Sequence, residues 1–69
     1  MNQWEADFGN DPYNDYNLIV EILCDDEEIA VVKNCDQGLI MTMYPNNKEL
    51  SIPVDWLLEL LLETKRRLK

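Results

Sequence analysis

Histidine is absent from this 69-residue chain, serine occurs once, at Ser51, and the two glycines, Gly9 and Gly38, stand far apart. Each absence excludes a class of chemistry. Without histidine the chain has no side chain that titrates near neutrality unperturbed, and it lacks the commonest nitrogen ligand of transition metals. Ser51 has no base to activate it, and Ser51-Ile52-Pro53 lacks the glycines of a nucleophile elbow. Two isolated glycines make no phosphate-cradling loop. Neither Leu18-Ile19-Val20 nor Leu60-Leu61-Leu62, with their neighbours, approaches the roughly 20 apolar residues a bilayer requires. No basic segment precedes an early apolar stretch, so the chain reads as soluble and unexported. Neither a catalytic group, a cofactor nor a metal is expected.

Bases are also scarce, six against fourteen acids, for a net charge of −8. The imbalance is uneven: residues 1–28 hold nine acids and no base, while Thr64 to Lys69 hold four bases and no acid. Such a field repels nucleic-acid phosphates and membranes and favours basic protein partners. The Lys65-Arg66-Arg67 run and Lys69 find a sufficient role as charges at a helix C-terminus. The acids fit no metal template. A calcium loop started at Asp7 puts Pro12 where glycine is required and Leu18 where the bidentate glutamate belongs. Consecutive carboxylates at Asp25 to Glu28 point apart at a turn, and Glu59 and Glu63 have no histidine to complete a site.

What is present is a globular pattern, 46% apolar. Residues 1–17 mix turn formers with Trp4, Phe8, Tyr13 and Tyr16 and read as an irregular aromatic arm. Residues 18–69 read as one β-β-β-α domain. Its strands run from Leu18 to Cys24, Ile29 to Lys33 and Leu39 to Tyr44; Leu50 to Ile52 is a short extended piece, and the helix runs from about Val54 to Leu68 after Pro53. The fold class is α+β: a three- or four-stranded antiparallel sheet with a C-terminal helix on one face.

Register arithmetic assigns the faces. A turn centred on Asp26-Glu27 and a three-residue Asp36-Gln37-Gly38 loop place Leu18, Val20, Ile22, Cys24, Ile29, Val31, Lys33, Cys35, Leu39, Met41 and Met43 on the helix-covered face. The opposite face then carries Asn17, Ile19, Glu21, Leu23, Ala30, Val32, Asn34, Ile40, Thr42 and Tyr44, six of the ten apolar or aromatic. The helix repeats the excess. Leu57, Leu61, Thr64 and Leu68 form one stripe with Val54 and Leu58 beside it, and Trp56, Leu60 and Leu62 widen the arc beyond the usual ~100°. Either the aromatic arm folds over the second face or another chain covers it, and the size of the patch favours another chain. Cys24 and Cys35 fall at opposite ends of a hairpin, roughly 20 Å apart, too far for a disulfide, and both read as buried thiols.

These features point to a small acidic, non-catalytic protein-binding module of the inhibitor, immunity or accessory-subunit kind. Ile19, Leu23, Val32, Ile40 and Tyr44 would supply contact area, and Asp25, Asp26, Glu27 and Glu28 would steer a basic partner. Two alternatives stand beside it: a nucleic-acid-mimicking anti-defence protein, whose carboxylates should file along one surface, and a structural domain acting as a homodimer. Size and plainness suggest a cytoplasmic protein of bacterial or phage origin, binding neither nucleic acid nor membrane.

Overall fold

The structure is a computed structural model that describes residues 3–13 and 15–68. Residues 1, 2 and 14 of the expected arm, and Lys69 of the basic end, lie outside the described residues. Four strands, β1 (Trp4–Asp11), β2 (Asn17–Cys24), β3 (Glu27–Cys35) and β4 (Gly38–Met43), form an antiparallel meander in chain order, followed by helix α1 (Val54–Arg67). The α+β arrangement and the C-terminal helix are as the sequence predicts.

The expected irregular arm is the fourth strand. Trp4 to Asp11 pairs with β2 from Trp4↔Cys24 to Asp11↔Asn17. Its turn-forming residues Gly9 and Asn10 are accommodated because β1 lies at an edge, with one partner to satisfy. The true turn follows at Asp11–Asn17: the Asp11 carboxylate accepts the Tyr13 N–H at 3.0 Å, and the Asp11 carbonyl accepts the Tyr16 N–H at 2.8 Å. Trp4 and Phe8 pack against the helix side of the sheet, while Tyr13 and Tyr16 stand exposed at that turn, so the aromatics do not close the second face.

The faces of β2 and β4 are as expected and that of β3 is inverted. Asp25 and Asp26, with φ of 53° and 67°, form a two-residue turn that pairs Cys24 with Glu27. A bulge then inserts Ile29, so that Ile22 faces Ala30 and Val20 faces Val32. One extra residue exchanges the two sides of everything after it: Ala30 and Val32 enter the helix-side core, and Val31 and Lys33 turn away. The second loop is two residues rather than three. Gly38, at φ 105°, pairs with Cys35, and the odd step restores Leu39, Met41 and Met43 to the helix side.

Helix α1 lies along β1 and β2. Trp56 meets Trp4 with ring centroids 6.2 Å apart, and the Arg67 guanidinium sits 4.4 Å from the centroid of Phe8, so helix and β1 run in the same direction. Trp56, Leu60, Thr64 and Leu68 form the line facing the sheet; Leu57 and Leu61 are half-buried on one flank, and Val54, Leu58 and Leu62 are exposed. Thr64 keeps its hydroxyl in the core by donating to the Leu60 carbonyl at 2.7 Å. No side chain caps the N-terminus, which begins at Pro53 with Asp55 in the first turn. Ser51, expected to help start the helix, instead offers its carbonyl to the Trp4 indole N–H at 2.8 Å, tying the connection to β1. Glu63 pairs with Arg67 at 2.9 Å, as its spacing predicts, and also with Arg66. No helix among the described residues is long and apolar enough to cross a membrane.

Candidate protein-docking surfaces

The sheet face away from α1 is acidic. Alternation along β1 puts Glu5, Asp7 and Asp11 there beside Glu21 of β2 and Glu28 of β3. Asp7 stands directly opposite Glu21 in the ladder, a like-charged cross-strand pair of the kind that destabilises a sheet. Among the described residues Lys33 is the one base on this face, and its ammonium lies 3.3 Å from the largely buried Asp11 carboxylate, out of play for the others. Partial burial, then the neighbouring Glu28, Asp7 and Asp11 carboxylates, push the Glu21 carboxyl above its ordinary value. A carboxyl raised in the folded state stabilises the fold when protonated, and that contribution is lost as pH rises through its folded value. Glu21→Gln is therefore expected to stabilise the protein at neutral pH by about 0.5 kcal/mol. The advantage over the parent should shrink as pH falls into the weakly acidic range, which urea titrations at several pH values would show.

The residues expected to dock a partner are divided by the bulge. Val32 is buried in the helix-side core and contributes nothing to the outer face. Ile19 is on the outer face but buried, as is Val31; Leu23 is half-buried. Ile40 and Tyr44, on β4, remain exposed beside the acids. The hairpin tip is less free than its composition suggests. Asp25 accepts the Gln3 N–H at 2.8 Å, while Glu27 accepts from the Asn46 amide at 3.1 Å and faces Lys48 at 3.7 Å. Among the described residues the Asp26 carboxylate has no hydrogen bond or ion pair, and Glu28 belongs to the sheet face. Glu5 and Asp7 were the residues missed; treating residues 1–17 as an arm removed them from any register, although their alternation with Trp4, Ala6 and Phe8 is a strand signal.

The second surface is apolar. A groove of about 240 Å³ runs between α1 and β4, lined by Trp4, Met41, Met43, Leu50, Ile52 and Leu57 among others, with almost no polar atom facing it. Its lining residues carry no acid, base or nucleophile. Glu21, whose carboxyl is pushed up, is on an open sheet rather than in a cleft. Burial, with the Asp25 carboxylate beside it, pushes the Cys24 thiol up and keeps it from acting as a thiolate. Cys35, expected to be buried, is exposed, with its thiol 3.2 Å from the Gly38 carbonyl; neither cysteine is in a disulfide. Among the described residues no three histidine, cysteine or acidic side chains come together as a metal site. No family model, curated protein or solved structure matches the chain.

Proposed function

We propose that this protein is a non-catalytic binding module that docks a basic protein surface on its acidic sheet face. The observation that supports this reading is the Asp7↔Glu21 pair with Glu28 beside it, carboxylates opposed in the free protein with Lys33 committed to Asp11. Charges held against one another lower the stability of the free fold and are relieved when cations arrive from a partner. Ile40 and Tyr44 at the β4 margin give such a partner apolar contact area, and the −8 field speeds its approach. An inhibitor of a basic protein or an accessory subunit working in the cytosol fits this chemistry. Mimicry of a nucleic acid is the weaker reading. Glu5, Asp7 and Asp11 do file along β1, but Gly9 interrupts them and Asp11 is neutralised and only 8% exposed, and the remaining Glu5, Asp7, Glu21 and Glu28 cluster across three strands rather than run as a track.

Titration of the isotope-labelled protein with a hexa-arginine peptide tests the location. Amide shifts are expected at Glu5, Asp7, Glu21 and Glu28 and to vanish at high salt. Shifts of equal size at Asp36, Asp55 and Glu59 would show that only net charge is being read.

A further inference from the structure

We propose that the apolar groove and an acidic pocket adjoining it form one docking site for an extended segment of a partner protein. An apolar side chain of that segment enters the groove, and a neighbouring arginine or lysine enters the pocket. The site arises because one helix cannot cover four strands. Helix α1 lies along β1 and β2, and the ladder row beside it runs from Ile22 through the small Ala30 to Met43. The groove is built on that row, with Leu57 of α1 and Met41 of β4 also lining it. Its remaining wall is the connection from β4 to α1, through Leu50 and Ile52.

That connection is held in place. The Trp4 indole N–H donates to the Ser51 carbonyl at 2.8 Å, and Glu27 accepts from the Asn46 amide at 3.1 Å and faces Lys48 at 3.7 Å. The walls are therefore set before a ligand arrives, which lowers the cost of ordering them. Between the connection and the β2–β3 turn is a second hollow, of about 120 Å³, which shares Ile29 and Leu50 with the groove. Asp25, Glu27 and Glu49 line it against the single ammonium of Lys48, so it is negative on balance. The Cys24 thiol in its wall responds to the same field: burial, then the Asp25 and Glu27 carboxylates, push it up.

Size and charge select the occupant. At about 240 Å³ and 120 Å³ the two compartments fall short of the roughly 300–1,000 Å³ of a cofactor or small-molecule pocket, and each suits one side chain. Met43 is 63% exposed, so the groove is open to a side chain entering from solvent, and flexible thioethers in its wall adapt to the shape that enters. The carboxylates of the pocket repel an acidic neighbour and pair with a guanidinium or ammonium. A buried apolar anchor beside a charge-assisted contact is the combination that concentrates binding energy. The groove is on the opposite side of the sheet from Glu5, Asp7 and Glu21, so this site stands independently of what the acidic face binds.

Titration of the isotope-labelled full chain with the blocked peptide acetyl-Gly-Phe-Arg-Gly-amide tests this. A dissociation constant of about 1 mM is expected for so short a segment, with shifts at the Met41 and Met43 methyls and the Glu49 amide. Replacing the peptide's phenylalanine by glycine, or its arginine by glutamate, should weaken binding by at least about fivefold. Met43→Lys and Glu49→Lys, both at exposed positions, should each weaken it by at least about fivefold with the circular dichroism spectrum unchanged, whereas Asp7→Asn/Glu21→Gln should stay within about twofold. No shifts up to about 10 mM peptide, shifts confined to the acidic sheet face, or equal affinity for either altered peptide overturns the proposal. The peptide comparisons use the parent chain alone, so they decide even where a variant unfolds.

Discussion

Leu60→Ala is expected to cost about 3 kcal/mol and to leave the protein largely unfolded at physiological temperature. Leu60 is the helix residue at the centre of the cluster formed by Val20, Ile22, Ala30, Val32 and Leu68. Truncating a buried leucine removes its transfer energy and leaves a cavity that a thin fold has few neighbours to fill. In a chain this small a single core supplies roughly 3–5 kcal/mol, so the loss is comparable with the total. Glu59→Ala, one residue away on the exposed side, should change stability by less than about 0.5 kcal/mol. Thermal unfolding followed by circular dichroism, at a protein concentration held constant, distinguishes the two. A tolerant Leu60 would mean that the helix presents a different face to the sheet.

Val32→Asp and Ile40→Asp form the second large contrast. With the three-residue Asp36-Gln37-Gly38 loop, which would set Asn34 opposite Ile40, the two side chains would share one sheet face and the two substitutions would behave alike. With the two-residue loop, Val32 is inside and Ile40 is 44% exposed, directly across from Lys33. An aspartate at position 32 would be a buried charge without a partner, costing several kcal/mol, more than this fold has to spare. An aspartate at position 40 faces the Lys33 ammonium and water, and should fall within about 0.5 kcal/mol of the parent. Amide dispersion in a single heteronuclear spectrum of each variant reads the outcome: collapsed for Val32→Asp, native-like for Ile40→Asp. Two native-like spectra would refute the register.

Much of this architecture is legible in the residues themselves. Pro53 before a long leucine-rich segment, with Asp55 at its start and the basic run at its end, marks α1 to within a residue. The β-branched stretches mark β2 and β3, and their alternation gives the faces of β2 and β4. Three features escaped for physical reasons. A bulge leaves no distinctive residue at Ile29, because the extra position is itself apolar and buried, so parity along β3 cannot be read from hydrophobicity when Ile29, Ala30, Val31 and Val32 are all apolar. The edge strand β1 is disguised by Gly9, Asn10 and Pro12, residues an edge and its turn tolerate and a central strand does not. Its acids alternate with Trp4, Ala6 and Phe8, and that alternation is the signal from which the acidic face could have been found. The helix face differs by about one residue: Thr64 and Leu68 are on the buried line as expected, but Trp56 and Leu60 complete it and Leu57 and Leu61 lie on the flank, because leucines on several sides of the helix leave the centre of the arc unmarked.

The sheet thus separates two kinds of surface, carboxylates on one side and an apolar groove on the other. Affinity for hexa-arginine, measured calorimetrically on Asp7→Asn/Glu21→Gln beside the equally neutralised Asp55→Asn/Glu59→Gln, tests the acidic-face reading most directly. Both pairs remove the same charge, so a field that merely sums over the molecule treats them alike. The first pair is expected to weaken binding by about tenfold, the loss of two close charge contacts, and the second by less than about twofold. Equal losses in the two variants would contradict it.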